Sequence, residues 1–170
     1  PICRGEGSPE LATFFAQEFA AYCREQRIVA EFAHLHPWDW AKGTLEVERV
    51  SLGREIVYVD LNLTESQLWH SFKPACRNKI NQGRREGIRI FQGSTVQDIQ
   101  KFHRIYTQTM DRNHALQKYY FPLEHFMKFW RDLPANASFF LAEYQDCVAS
   151  ASLCLHDEND AHYHLTGTDV

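Results

Sequence analysis

The chain has 170 residues and a mass of 19.9 kDa, with 44% hydrophobic and 14% aromatic side chains, enough for one full core or two small ones. This composition excludes a disordered chain, no apolar run reaches the roughly 18 residues of a membrane helix, and five cysteines without Cys-x-x-Cys spacing argue against a disulfide framework or a structural zinc site. A net charge of -4 and a pI near 6.1 exclude a generally basic nucleic-acid binder, so any such contact is local.

The start, Pro1-Ile2-Cys3-Arg4, lacks an initiator Met and the layout of a signal peptide, so the sequence reads as a piece of a longer chain, and the reduced cysteines suit a cytoplasmic setting. Ser8 can cap a helix that starts at Pro9, and Leu11, Phe14, Phe15, Phe19 and Tyr22 give it one apolar face to about Arg27. Ile28 to Leu35 reads as a strand ending at His36-Pro37, followed by alternating segments from Thr44 to Leu52 and Glu55 to Leu61 around Gly53-Arg54. Thr64 and Gln67 have capping-box spacing and open the next helix.

That helix leads into FKPACRNKINQGRREGIRIF, residues 72–91, which holds six cations (Lys73, Arg77, Lys79, Arg84, Arg85, Arg89) and one anion, Glu86. Its local charge is +5 within a total of -4, leaving -9 for the rest. Leu68, Phe72, Cys76 and Ile80 recur every four residues, which predicts an inward stripe, with Arg77, Asn81, Arg84 and Arg85 facing outward until Gly87 stops the helix. Arg presents a planar fork matched to phosphate or carboxylate. The bland alternative is a solvated cationic face.

Gln92-Gly93-Ser94 reads as the internal boundary, giving subdomains 1–93 and 94–170. Beyond it the spacing predicts a helix from Thr95 to about Asn113 (Ile99, Phe102, Ile105, Tyr106 and Met110 buried), a second from Pro122 to Leu133, and strands at Ser138–Tyr144, Val148–His156 and His162–Thr168. The whole is α+β with mainly antiparallel sheets flanked by helices. The last strand ends with no following helix to cover its sheet, so a C-terminal segment is expected to be missing.

Two His-x-His pairs, His34/His36 and His162/His164, place both rings on one strand face, yet no third metal ligand is fixed by spacing. No Gly-x-Ser-x-Gly elbow, Walker loop or dinucleotide glycine run is present. YTQTMDRNHALQKYYF at 106–121 gathers Arg112, Asn113, Lys118, Tyr119 and Tyr120 at one connection, a set suited to a sugar or peptide ligand with an anionic group, or else to a packed corner. The small residues of CVASASLCLH allow another backbone or a ligand to approach closely, or simple helix-on-sheet packing.

Four stretches together, IVAEFAHLHPW (28–38), LWHSFKPACRNKINQGRREGIRI (68–90), YTQTMDRNHALQKYYF (106–121) and CVASASLCLHDENDAHYHLTGTD (147–169), resemble the Fem-type peptidoglycan interpeptide-bridge aminoacyltransferases of the wider N-acyltransferase superfamily. The resemblance implies two GNAT-like subdomains sharing a cleft, truncated at the C-terminus. It implies transfer of an amino acid from charged tRNA to an amine of a UDP- or lipid-linked muropeptide, with no bound metal or cofactor. With no apolar run of membrane-spanning length, no transmembrane segment is expected, and any membrane contact would be peripheral. Such transfer needs a neutral amine, donors for an oxyanion and a proton acceptor. Backbone N–H groups freed by a bulge near Ser150 or Ser152 suit the oxyanion and His164 the proton. Arg77, Lys79 and Arg84 are the expected phosphate contacts, and Arg112, Asn113 and Tyr119 the expected acceptor contacts. An acyl-CoA-dependent transferase acting on a small amine, and a non-catalytic module binding an anionic cell-wall precursor or RNA, stay open as alternatives.

Overall fold

Helix α1 opens on a proline, whose missing N–H costs nothing at a first turn, and runs Pro9–Glu25 in the computed structural model, which describes residues 9–30 and 55–169. The chain forms two compact units, Pro1–Tyr58 and Val59–Val170. In the first, Phe15 and Phe19 stack at 5.7 Å, one turn apart on α1. The helix closes as the Ile28 N–H donates to Cys23 O at 2.8 Å and Arg27 turns left-handed at φ 56°. The strand expected from Ile28 is absent over 28–30, and its remainder, the Thr44–Leu52 segment and the His34/His36 pair lie outside the described residues. Glu55 to Leu61, expected as a strand, forms none with the described residues, and its Val57 is exposed.

In the second unit Thr64 caps α2 (Glu65–Ser71) as expected. Its hydroxyl accepts from the Gln67 N–H at 3.3 Å while Gln67 Oε1 accepts from the Thr64 N–H at 2.9 Å. The apolar stripe expected to run through Ile80 is interrupted. Pro74 has no N–H to donate and its ring clashes with the preceding turn, so α2 ends at Ser71 and α3 (Pro74–Arg85) starts afresh. The restart changes the phase: Leu68, Phe72 and Ile80 are half-buried, but Cys76 is exposed. Gly87 does stop α3, at φ +82°, with the Ile88 N–H donating to Gly83 O and the Gly87 N–H to Arg84 O.

Strand β1 (Arg89–Gln92) follows and pairs antiparallel with β2 (Ala137–Tyr144), Phe91 opposite Leu141. Gly93 directly follows β1, and the two compact units divide between Tyr58 and Val59. Helix α4 (Val96–Arg112) begins with the Thr95/Asp98 capping box and buries Ile99, Phe102, Ile105, Tyr106 and Thr109. A short 3₁₀ turn, Gln117–Tyr119, precedes α5 (Leu123–Asp132). Strands β2, β3 (Cys147–His156) and β4 (Ala161–Thr168) complete a meander in the order β1-β2-β3-β4. Gln145 and Asp146 join β2 to β3 with φ of 49° and 62°, the mirror-image turn that matches strand twist. The fold class is α+β, as expected.

Phe102 stands at the centre of the core, edge-on to Phe126 and Phe139 at 5.0 Å each, while Ala151, Leu153 and Leu141 face α4 and α5 from the sheet. The small-residue stretch serves packing. Ala151 lies opposite Gly167, where a Cβ would sit 2.8 Å from the Ile105 carbonyl and the Tyr106 nitrogen, so α4 crosses β4 backbone to backbone.

Candidate functional site

The basic residues of α3 meet three different fates. Arg77, expected to point outward, is half-buried and donates through Nη1 to Phe72 O at 2.6 Å and His70 O at 3.2 Å. It satisfies carbonyls left open where Pro74 ends α2. Arg84, two turns further, lies 5.4 Å from the centroid of the Trp69 ring. Lys79 is exposed and, two residues from Arg77, sits about 200° around the helix. Arg77 and Arg84 therefore share a face that Lys79 does not. Lys73, Lys79 and Arg85 are exposed and make no ion pair with a described residue, whereas Arg89 is held by Glu143 at 2.7 Å.

At the far end of α4, Arg112 Nη2 donates to Thr168 O at 2.6 Å and Thr168 Oγ1 at 3.1 Å. The Thr109 hydroxyl accepts from the Thr168 N–H at 2.9 Å and can donate to Ile105 O or Thr168 O. This network ties the last turn of α4 to the end of β4. Asn113 is the exposed C-cap of α4, and His114 after it takes φ 48°. Tyr119 is fixed through its backbone, its carbonyl accepting from the Tyr106 hydroxyl at 2.6 Å, with the Lys118 ammonium 5.1 Å above its ring. Tyr106 lies six residues before Arg112, about 9 Å along the helix axis. Arg112 and Asn113 are thus adjacent, and Tyr119 is anchored to another stretch of the same helix.

His164 sits at an irregularity of β4. Leu165 pairs with Leu153 and Tyr163 with Cys154, leaving His164 as the extra residue of a bulge. The bulge expected near Ser150 also exists, with Ala149 unpaired between Val148 and Ser150. Phe129 lies edge-on to His164 at 6.3 Å and His162 is 5.6 Å away. Partial burial, then His162 and His125, push the His164 imidazole below its ordinary value. A lowered pKa keeps the ring neutral and able to accept a proton near pH 7. His164 is four residues from Thr168, about 13 Å along the strand, so it and Arg112 form separate clusters.

Trp69, Thr109 and His125 carry contacts that sequence reasoning missed. Trp69 had a signal, an aromatic next to a basic run. The other two meet their partners only across the fold.

No protein of curated function matches the chain. Residues 9–159, most of its length, match the FemAB family. That match spans α1, the basic α3, the α4 connection and the first two strands of the meander, and it agrees with the resemblance carried by the four sequence stretches: this chain belongs to the FemAB family, whose members are transferases of peptidoglycan synthesis.

Proposed function

We propose that the chain is part of an aminoacyltransferase that moves an amino acid from charged tRNA to an amine on a UDP- or lipid-linked muropeptide, on a GNAT-like scaffold. The family match over residues 9–159 carries this reading. Lys73, Lys79, Arg84 and Arg85 supply cations for the phosphates of either substrate, with Arg84 kept in place by Trp69. Arg77 acts mainly by fixing α2 against α3. Arg112, Asn113 and Tyr119 form the acceptor side.

In the reaction the neutral amine attacks the ester carbonyl carbon, and the C=O electron pair becomes an oxyanion. Strand N–H groups at the Leu153/Cys154 irregularity, next to Ser152 and opposite His164, are suited to receive it. The Ala149 bulge lies at the Thr168 end of β4, too far from His164 to share one reacting carbon. His164 takes the amine proton, the carbonyl re-forms, and the tRNA hydroxyl leaves with the C–O bond electrons and a proton. Partial burial beside two other imidazoles supports this role, because it favours the neutral base.

The test is transfer of a labelled amino acid from charged tRNA to a UDP-linked muropeptide by the full-length protein. His164→Ala is expected to lower the rate by about 10²- to 10⁴-fold. Unchanged turnover overturns the role of His164, and transfer from acyl-CoA but not from tRNA overturns the donor.

A further inference from the structure

We propose that His162 and His164 form a two-imidazole chelate for a borderline divalent transition metal ion, with zinc as the reference case. Strand β4 presents residues i and i+2 on one face, and here the ring centroids are 5.6 Å apart with planes inclined at 51°. A zinc–nitrogen bond of about 2.0–2.1 Å puts each ring centroid about 3.2 Å from the metal, so two rings at a tetrahedral angle have centroids about 5.2 Å apart. The centroid separation is thus within a few tenths of an ångström of what two imidazoles on one ion require, and rotation about each side chain would have to turn a nitrogen toward it.

Both rings are also uncommitted. Neither makes a hydrogen bond to a described residue, whereas His70, His103 and His156 are each bonded to a carbonyl or hydroxyl. His162 is exposed, and His164, partly covered by Phe129, keeps a solvent-accessible edge, so an ion can reach both from solvent. The neutral imidazole is the form that binds metal. Among the described residues no group of three or more His, Cys, Asp and Glu could hold a metal ion. The ion would keep water in its remaining positions, which makes this an exchangeable site and not a structural one. Imidazole donors select zinc, nickel or copper over magnesium and calcium. A bound ion takes the same lone pair that would accept the amine proton, so it would oppose transfer. That consequence rests on the reading of His164 above, while the binding itself does not.

Calorimetric titration of the intact chain with zinc chloride at pH 7.5, alongside magnesium chloride, tests the proposal. The expected result is a zinc site that weakens at least about tenfold in His162→Gln and likewise in His164→Gln, fades as the pH drops below about 6.5, and persists in a His34→Gln/His36→Gln double variant. Circular dichroism of the β4 variants separates loss of ligand from loss of fold. Zinc affinity no tighter than about 1 mM, affinity indifferent to both β4 substitutions, loss of the site in the His34/His36 variant, or equal binding of magnesium would each overturn it.

Discussion

Helices α3 and α4 lie in the same unit and both carry apolar residues at helical spacing, yet α4 buries five side chains and α3 none. The difference is what each helix leans on. α4 crosses the meander at Gly167 and shares its apolar face with α5 and three strands, while α3, among the described residues, meets chiefly the short α2, through one guanidinium and one ring contact. Stability is thus concentrated in α4, α5 and the sheet, and the unpaired charge in α3. Ligand chemistry on α3 can change with little effect on the fold, a separation that mutation can test.

The largest effect belongs to the core. Phe102→Ala removes the ring that meets Phe126 and Phe139, and urea unfolding is expected to show a loss of about 3–5 kcal/mol. Gly167→Val forces side-chain atoms into the Ile105 and Tyr106 backbone, with an expected cost of about 1–3 kcal/mol in the same assay. A stability equal to wild type in either variant would break the comparison from the core side.

From the α3 side, Gly87→Ala strains one left-handed residue at φ +82° and should cost about 1 kcal/mol. Lys79→Ala and Arg85→Ala should stay within about 0.5 kcal/mol of wild type in stability. Each should nevertheless weaken binding of a UDP-linked muropeptide at least about tenfold, the value of one charge-assisted contact. Wild-type affinity in both would detach α3 from the ligand.

The smallest effect is a pH dependence. His164 has a lowered pKa when folded, so the unfolded chain binds its proton first and stability falls as pH drops below about 6.5. Denaturation midpoints at pH 7.5 and 5.5 should differ less in His164→Gln than in wild type, and identical differences would assign the effect elsewhere.

Much of the α4–α5–meander half was legible in the chain itself. Its helices and strands are marked by caps, breakers and a clean period, and their ends agree with the expected ones to within a residue or two. Pro74 was visible too, but the four-residue stripe running past it argued for one continuous helix, and the proline prevailed. Pairings between distant residues were not legible. The joining of β1 to β2, the grip of Arg112 on Thr168 and the approach of His125 to His164 each depend on segments that the chain brings together only after folding. The site was therefore harder to read than the fold. Arg77 was recognised as a strong donor, but the carbonyls that occupy it exist only because α2 ends where it does.

The meander's strand order also bears on how quickly the parts assemble. β2, β3 and β4 are joined by short turns, so their pairings close small loops and can form early, each with little chain entropy to lose. β1 must find β2 across residues 93–136, which include both packed helices. The strand that links the basic helix to the sheet is thus expected to dock last, after the core that receives it has formed.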